Sequence, residues 1–515
     1  METVSQEWKE AQLQDIVPVS YVEILYNIGD PASQADVTAS ATTPSYGNVE
    51  EIVTELDKTY SLYATLEANH WKLDGTYNII SDNPSINTGY VSPTLSNNKG
   101  IFESETGVTL NFTRVHENLV AGITITWSPT FDECARDFRV TAYNGTTVVA
   151  TKTITDNIDN VTIVDLEIQN YNRIEIEILE WCLPYKRARI EDILVGIEKV
   201  FTKTDLLGYT HEQYADILTG DLPKNSIVFE IDNVAEQFNP DNPTSVYKYL
   251  LERQEITVRY GYKIGNGIEW IKAGTFYMSE WNAPQNGITA KFTARDLLEF
   301  MNEKFVTSST SVTLHNLALE ALTQANLPLN GDGSVKWILD TSLNDITVTI
   351  DPEKFDYTIA EVLQLVANAG RCVLYQDRTG TLNIVPISNI VTDYIINRFN
   401  SYQNAEYEIT KELKSVDVND GMGTASHANT GEVQTVKNDL IQDATVANNV
   451  ATWIKDTLKH RRIVSGEYRA DPRLDALDTI TVINKYATST VVVTDVKYTY
   501  NGAFKGTYEG RAIND

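Results

Sequence analysis

Cysteine, histidine and basic residues are all scarce in this 515-residue chain. Its 3 cysteines (Cys134, Cys182 and Cys372) include no CxxC pair, which argues against a disulfide scaffold or a structural zinc site. The 6 histidines are scattered, with no HxH pair, so a zinc peptidase is not expected. Lys and Arg number 41 against 71 Asp and Glu, a formal net charge of −30. Such a chain is poorly suited to bind nucleic-acid phosphates or an anionic membrane surface.

Long apolar runs are also missing. No stretch of about 18 apolar residues occurs, so no membrane insertion is predicted. The first residues, METVSQEWKEAQ, lack the basic start and apolar core of a signal peptide. We therefore expect a soluble protein made in a cytoplasm. Its length is roughly three times that of a typical domain, and 42% hydrophobic residues are enough for several packed cores.

Alternating apolar and polar residues predict strands along most of the chain. In residues 255–262 (EITVRYGY), Ile256, Val258 and Tyr260 fall on one face, while Glu255 and Thr257 fall on the other. ITAKFTAR and VKYTY show the same pattern, and Asn-Gly pairs supply turns between strands. Residues 377–380 (DRTG) are interpreted as a further hairpin turn.

Three helices are predicted, at residues 314–326, 359–369 and 444–459. The second has the strongest signals: Thr358 and Glu361 form a capping box, and Gly370 suits the C-terminal cap. With so few helices, the predicted fold class is mainly β and multidomain (α+β).

From about residue 60 to 200 the chain is almost purely β. Short strands such as GITITW, TVVATKTI, VTIVDLEI and RIEIEILEW follow one another with turn residues between them, which predicts an antiparallel sandwich or jelly roll. Residues 1–200 carry 13 Lys and Arg against 30 Asp and Glu, so this part is strongly acidic. Near residue 200 the pattern becomes mixed α/β, and a domain boundary is expected there.

Motifs that would indicate catalysis are weak in this sequence. His211-Glu212 begins like an HExxH zinc helix, but Ala215 stands where the second ligand belongs, so Glu212 is interpreted as part of the first turn of a short amphipathic helix. The glycines in residues 417–432 (DVNDGMGTASHANTGE) have no preceding strand pattern, which favours a mobile loop over a dinucleotide site. We predict a protein that is not an enzyme, with no catalytic residue, metal or cofactor.

Two weaker binding hypotheses stay open. Asp471, Asp475 and Asp478 in one loop, and Asp232, Asn239 and Asp241 in another, could supply oxygen ligands to calcium, although neither loop has EF-hand spacing. Exposed tryptophans in the sandwich could form a saccharide platform. Trp127 is in phase with Ile123 and Ile125 and is expected in the core. Trp71 and Trp181 are the candidate carbohydrate contacts.

Residues 223–305 resemble the baseplate or tail-tip hub proteins of tailed phages and prophages of Gram-positive bacteria. The segments that carry the likeness are LPKNSIVFEIDN, FNPDNP, YKYLLERQEITVRYGY, EWIKAGTFYMSEW and NGITAKFTARDLLEFM. It continues through TIAEVLQLVANAGRCVLYQDRTGTLNI and ends in YRADPRLDALDTITV and YTYNGAFKGTYEGR. The residues at the family's motif positions are Phe229, Asn233, Phe238, Asn239, Pro240, Gly261, Gly274, Asp296, Arg469, Asp471, Pro472 and Asp478.

LYATLEANHWKLDG and the β-rich stretch after it also resemble an N-terminal part of some such prophage proteins. The stretch is similar to galactose-binding or discoidin-type jelly rolls, a common carbohydrate-binding scaffold. The resemblance implies the following layout: residues 1–60, an N-terminal segment with the first strands of a hub barrel; 61–200, the sandwich; 201–305, hub barrel one; 306–395, an α/β hub domain; 396–465, a linker region with a helix; and 466–515, hub barrel two.

The resemblance implies a structural role in the virion tail, at the baseplate or tail tip, for a protein synthesised in the bacterial host cytoplasm. Hub proteins of this kind form a homotrimeric ring that joins the tail tube protein to a central spike or tip protein, among other baseplate proteins. Two alternatives remain: a tail adhesin that binds a host cell-wall saccharide through residues 61–200, and a tail-associated wall hydrolase. The hydrolase would need a catalytic constellation that the sequence does not display.

Overall fold

The computed structural model describes residues 2–14, 18–41, 43–53, 64–65, 67–68, 70, 72, 74, 77, 88–242, 245–265, 267–282, 287–328, 334–387 and 391–514. The fold is mainly β, with several antiparallel sheets and few helices, which confirms the predicted class. Apolar side chains gather into three clusters: one in a large sheet, one around the helices, and one in the acidic N-terminal part.

The first elements bring the N-terminus onto the large sheet. Helix α1 (Gln6–Gln12) is capped by Ser5, and strand β1 (Ser20–Gly29) follows it, then the short helix α2 (Pro31–Gln34). Trp8 in α1 is fully buried and meets the ring of Tyr262 edge-on at 4.9 Å. Its indole N–H donates to Asp471 Oδ1 at 3.2 Å, so α1 ties the start of the chain to a loop near its end.

Ten strands between α2 and residue 195 build a two-sheet sandwich. They are β2 (Thr38–Ala41), β3 (Tyr90–Val91), β4 (Gly107–His116), β5 (Val120–Thr126), β6 (Ala135–Asn144), β7 (Thr147–Ile154), β8 (Val161–Ile168), β9 (Tyr171–Trp181), β10 (Arg189–Ile190) and β11 (Asp192–Leu194). One sheet has the order β2-β4-β9-β6-β7 and the other β11-β5-β8, while β3 pairs with β10. Alternate residues of both sheets fill one core, and Trp127 is fully buried there, as predicted.

The next six strands form the first part of the large sheet. They are β12 (Gly196–Phe201), β13 (Leu206–Tyr214), β14 (Lys224–Asp232), β15 (Glu255–Ile264), β16 (Gly267–Asn282) and β17 (Thr289–Arg295). Strand β1 lies between β12 and β15, so the whole sandwich is inserted between two neighbouring strands. In β15 the predicted inward residues Ile256, Val258 and Tyr260 are all fully buried.

A small α/β region comes next. Its elements are β18 (Ser311–Thr313), α3 (Leu314–Ala325), β19 (Trp337–Leu339), β20 (Thr347–Thr349), α4 (Ile359–Ala369), β21 (Val373–Gln376) and β22 (Leu382–Val385). Helices α3 and α4 lie where the apolar periodicity predicted them, and the capping box of Thr358 and Glu361 is present. Both helices bury their apolar faces in the second core, which this region shares with the next helix of the chain.

The last elements complete both the large sheet and the helical core. They are β23 (Val391–Ile396), β24 (Glu406–Ile409), β25 (Leu413–Val418), β26 (Gly423–Ser426), β27 (Glu432–Val436), α5 (Ala444–Leu458), β28 (Arg462–Tyr468), β29 (Thr479–Ile483), β30 (Thr488–Tyr500) and β31 (Phe504–Ala512). The third predicted helix is α5. Residues 417–432 do not form a free loop: β25 and β26 pair as a hairpin, and β27 adds to β25 in parallel.

The strands expected to form two hub barrels belong to one 13-stranded sheet, called here the main sheet. Its order is β12-β1-β15-β16-β17-β14-β13-β30-β31-β28-β24, with β29 also paired to β30 and β23 to β29. The join is the antiparallel pair β13 and β30, where Tyr209 faces Tyr500 and Tyr214 faces Asp495. The main sheet includes β23 and β24, which the sequence placed in the 306–395 and 396–465 segments. Both halves share a single core.

Gly510 lies in a closely packed part of the main sheet, on strand β31. A Cβ at this position would collide with the carbonyl oxygen of Val492 and lie 2.8 Å from Val493 Cα. We expect Gly510→Ala to lower the free energy of unfolding by about 1–3 kcal/mol, because backbone cannot move aside as a side chain end can. Gly208→Ala is the matched control, since a Cβ at Gly208 meets nothing within 4 Å. Urea unfolding of the full chain measures both, and equal effects would contradict the packing argument.

Candidate functional sites

Trp181, one of the two expected saccharide contacts, lies inside the sandwich. Only 1% of it is exposed, and its ring meets Trp127 edge-on at 6.2 Å. Its indole N–H donates to Glu133 Oε2 at 2.7 Å. The ring therefore has no free face on which a sugar could stack. Trp71 lies outside the described residues.

A β-bulge explains why Trp181 faces inward. Ile174, Ile176 and Ile178 point into the core, so strict alternation would place Trp181 on the outer face with Glu177. The register with β6 shifts after Ile178, and Trp181 comes to lie opposite the buried Ala135. An extra residue at a bulge reverses the side-chain direction for the rest of the strand. Nothing in the local sequence marks this shift.

Charged side chains are buried beside Trp181. His70 Nε2 lies 2.5 Å from Glu133 Oε1, and the His70 ring stacks on Phe131 at 4.2 Å. Glu67 forms a buried ion pair with Arg189 and accepts the backbone N–H of Arg187 at 2.7 Å. Hydrogen bonding and charge from Arg189 lower the pKa of Glu67 in spite of its burial. These contacts hold the described residues near position 70 against the sandwich.

Substitution of Trp181 tests how much its indole hydrogen bond contributes to the stability of this buried cluster. Trp181→Phe keeps most of the apolar volume but removes the N–H that Glu133 accepts. A buried carboxylate that loses a donor costs about 1–3 kcal/mol, so we expect the sandwich to be destabilised by that amount. Thermal melting of the full chain, followed by fluorescence and circular dichroism, checks this. The control Tyr143→Phe alters an outward-facing residue of β6 in the same sheet and should change little.

Neither calcium hypothesis gains support from the aspartates concerned. Asp471 Oδ2 accepts from Arg473 Nε at 2.7 Å, and Asp475 is paired with Arg378 at 2.8 Å. Asp232 accepts the backbone N–H of Val234 at 2.9 Å in an ordinary turn. Among the residues that the structure describes, no group of three or more His, Cys, Asp or Glu side chains is placed to hold a metal ion. Within the same residues, no helix is long and apolar enough to cross a membrane.

A second set of buried polar groups lies where the two halves of the main sheet meet the α/β region. We call it the barrel junction: Arg378, Asp475, Gln213, His211 and Tyr260. Arg378 is at the tip of the hairpin between β21 and β22, and 5% of it is exposed. Its Nε donates to Asp475 at 2.8 Å, its Nη2 to Pro472 O at 2.6 Å and its Nη1 to Lys272 O at 3.1 Å.

His211 continues the barrel junction from strand β13. The expected helix at His211-Glu212 is wrong, because this segment pairs with strands on both sides. His211 Nδ1 lies 2.7 Å from Tyr260 Oη, and its Nε2 lies 2.8 Å from Asn225 Oδ1. Burial lowers the pKa of His211 to about 4. The ring is therefore neutral at pH 7, donating from Nε2 to the amide oxygen and accepting the Tyr260 hydroxyl at Nδ1.

Gln213 links the two sets of contacts. Its Nε2 donates to Asp475 Oδ1 at 3.0 Å, and its Oε1 accepts the backbone N–H of Ala476 at 3.0 Å. The barrel junction thus connects both halves of the main sheet with the α/β hairpin. Its groups are engaged with each other and with backbone, an arrangement suited to fixing the relative position of these parts.

A second contact between the main sheet and the α/β region is centred on Asp296. This residue directly follows β17 and caps a short 3₁₀ turn (Leu297–Phe300) by accepting the Leu298 N–H at 3.0 Å. The Leu297 N–H donates to Gln376 Oε1 at 2.8 Å, and Gln376 Nε2 donates to Thr275 O at 3.0 Å. Burial raises the pKa of the Asp296 carboxyl to about 7.

No family model and no curated protein matches this chain. Among solved structures, it is similar to the 43 kDa tail protein of prophage MuSo2 from Shewanella oneidensis, with 13% identity, 61% of this chain and 93% of that chain covered, and a TM-score of 0.43. The chain is also similar to a tail protein from Neisseria meningitidis MC58, with 11% identity, 61% of this chain and 93% of that chain covered, and a TM-score of 0.43. A third similar structure is a prophage tail protein from Listeria monocytogenes EGD-e, with 13% identity, 61% of this chain and 91% of that chain covered, and a TM-score of 0.40.

Proposed function

We propose that this protein is a structural component of a phage tail, specifically a hub that joins the tail tube to a central spike or tip. The observation that carries the proposal is that the hub-like motifs, far apart in sequence, build one frame. The motif residue Asp471 accepts a hydrogen bond from Trp8, and Tyr262 Oη donates to Ala470 O at 2.9 Å. The proposal agrees with the names of the similar solved structures, whose likeness is too distant to support it.

The motif residues in the first half of the main sheet make packing contacts and hydrogen bonds that stabilise such a frame. Phe229 stacks on Phe292 at 5.0 Å, and Phe238 meets Phe292 edge-on at 5.1 Å. Asn233 Oδ1 accepts the Phe238 N–H at 3.0 Å and so closes the loop after β14. Gly261 leaves room for the Trp270 ring, which would lie 2.8 Å from a Cβ there. These contacts favour a rigid scaffold, as a load-transmitting tail part needs.

The two halves of the main sheet suit a ring of three copies. Each chain would present two β-modules, so three chains would offer six to a six-fold tube. A closed ring also prevents the open-ended growth of a heterologous interface. The net charge of −30 suits a channel through which DNA passes, because a basic lining would retain phosphates. The proposed partners are two further copies of the chain, the tube protein, the spike or tip protein and other baseplate proteins.

The copy number in the particle tests the hub. Cryo-electron microscopy of the intact virion should show three copies on the tail axis, between the last tube ring and the spike or tip. Six copies per ring, or a position away from the axis, would contradict the hub. A peripheral position would instead favour an adhesin.

We also propose that the sandwich is a separable unit that can contact a host saccharide from outside the ring. Its separate core and its insertion between β1 and β12 favour a peripheral position. Because Trp181 is buried, any sugar would have to use other side chains. A glycan array probed with the full chain tests binding, and the chain without the sandwich is its control.

The topology specifies how to make that control. Gly29 and Gly196 are register partners at the ends of β1 and β12, so the chain leaves and re-enters the main sheet at one point. We expect that replacing residues 30–195 with a short hairpin turn leaves the main sheet folded. Cooperative melting and a retained near-ultraviolet circular dichroism signal would show this. If the shortened chain fails to fold, the sandwich is an integral part of the frame.

A further inference from the structure

Two of the three cysteines lie next to each other, although no sequence motif pairs them. Ala135 and Trp181 are register partners on β6 and β9, so one step further along the antiparallel strands Cys134 faces Cys182. The Cys182 N–H donates to Cys134 O at 3.1 Å, and the Cys134 N–H lies 3.3 Å from Cys182 Sγ. Directly opposed residues of this kind have the Cα separation that a disulfide spans. Both thiols are free.

We propose that Cys134 and Cys182 form an oxidisable dithiol, which a small disulfide converts into a disulfide across the end of the sandwich sheet. The site is asymmetric. Cys134 is buried, whereas Cys182 is half-buried at the end of its strand and can be reached from solvent. The reagent therefore meets Cys182 first.

The pKa values of the two thiols indicate the same order of reaction as their exposure does. The thiol of Cys134 hydrogen-bonds to the sulfur of Cys182 and lowers the pKa of Cys182. The same hydrogen bond, together with burial, raises the pKa of Cys134. Since the thiolate is the attacking species, Cys182 is the nucleophile and Cys134 the resolving thiol.

The exchange proceeds in two balanced steps. The Cys182 thiolate attacks one sulfur of the small disulfide and expels the other half as a thiolate, leaving a mixed disulfide on Cys182. The expelled thiolate takes the proton of Cys134. Cys134 then attacks Cys182 Sγ and expels the second half of the reagent as a thiolate, which takes up from water the proton that Cys182 released on ionising. Two electrons pass from the protein to the reagent, and two small thiols are released for one protein disulfide.

The third cysteine is an internal reference. Cys372 is fully buried, and burial raises its pKa to about 12. Its sulfur contacts the carbonyl oxygen of Gly370 at 3.5 Å, in the α/β region. It should stay reduced under conditions that oxidise the other two.

The test uses the reduced full chain and 2-hydroxyethyl disulfide, an uncharged reagent that the acidic surface does not repel. After quenching in acid, the protein is unfolded, alkylated and weighed as the intact chain. We expect the alkylated thiols to fall from three to one, no retained reagent, and a tryptic peptide pair linked through Cys134 and Cys182. The melting temperature should rise on oxidation and fall again with reductant.

Three single variants separate the roles of the sulfurs. Cys182→Ser should block oxidation, Cys134→Ser should stop at the mixed disulfide, and Cys372→Ser should behave like the wild type. Three alkylated thiols in the treated wild type, a stable wild-type mixed disulfide, or a link between two chains would each overturn the proposal. If a serine variant folds poorly, the wild-type result alone still shows whether Cys134 and Cys182 form a disulfide.

Discussion

Replacing Arg378 with alanine is expected to lower the free energy of unfolding by about 3–5 kcal/mol, the cost of breaking a buried ion pair from one side. The substitution leaves Asp475 without its guanidinium partner. It also leaves the carbonyl oxygens of Pro472 and Lys272 without the donors that they now accept from. Because Arg378 connects the α/β hairpin to both halves of the main sheet, these parts should loosen together.

Urea unfolding of the full chain measures the loss, and hydrogen exchange shows where it occurs. We expect faster exchange in β13, β30 and the hairpin between β21 and β22. Lys505→Ala is the control: Lys505 pairs with Glu467 at 2.9 Å in the same sheet, but half of its side chain is exposed. Exposed pairs contribute about 0–1 kcal/mol. If Arg378→Ala costs no more than Lys505→Ala, the barrel junction does not hold these parts together.

A double variant isolates the ion pair itself. With Arg378 already replaced, Asp475→Ala should cost less than it does in the wild type, because the carboxylate has lost its partner. The difference is the coupling energy of the pair, and neighbouring groups of this kind couple by about 0.5–3 kcal/mol. Additive effects would show that the two side chains act independently.

Sequence patterns predict the local structure of this chain but not the barrel junction, because the barrel junction depends on contacts between residues that are far apart in the sequence. The turn at residues 377–380 was predicted correctly: the Gly380 N–H donates to Asp377 O at 3.1 Å. Turn formation depends on the residues in the turn, whereas the role of Arg378 depends on Asp475, which is distant in the sequence. No pattern within a strand or helix encodes such a contact.

The difference between local and long-range contacts also explains why the prediction of helix α4 is confirmed and the prediction at His211 is wrong. The helix prediction for α4 is confirmed to its end residues, because capping and apolar spacing act within a few positions. The helix expected at His211 is wrong: it rests on Glu212 as a first-turn residue of an amphipathic helix, since Ala215 excludes the zinc motif. The alternation of Tyr209, His211 and Gln213, all buried, is the strand signal that was available. The burial of a histidine between sheet halves could not be seen, since the pairing of β13 with β30 is a long-range contact.

Replacing Asp296 with asparagine is expected to stabilise the protein in a pH-dependent way. Burial raises the pKa of the folded-state carboxyl to about 7 from an ordinary value of 3.8. Between these values the folded chain holds a proton that the unfolded chain has already released, so the stability of the wild type falls as the pH rises through this window. The cost is complete above pH 7. Asparagine keeps the cap on Leu298 but cannot ionise.

The gain of Asp296→Asn over the wild type should therefore be near zero at pH 4. At 1.36 kcal/mol per pKa unit, it should approach a value on the order of 4 kcal/mol at pH 8. His211 has the opposite sign: its lowered pKa makes the protein less stable as the pH falls from 6.5 towards 4. Because His211 is the same in both chains, the difference between variant and wild type removes its effect and reports Asp296 alone.

Asp443→Asn is the matched control for this pH dependence. Asp443 caps α5 by accepting the Thr445 N–H at 2.8 Å and the Val446 N–H at 3.2 Å, but it is exposed, and these bonds lower its pKa. Its substitution should bring no gain at high pH. Urea unfolding of the three chains at pH 5, 6, 7 and 8 provides the comparison. A constant difference between Asp296→Asn and the wild type would mean that Asp296 is already ionised at pH 5 when folded, and that backbone donors outweigh its burial.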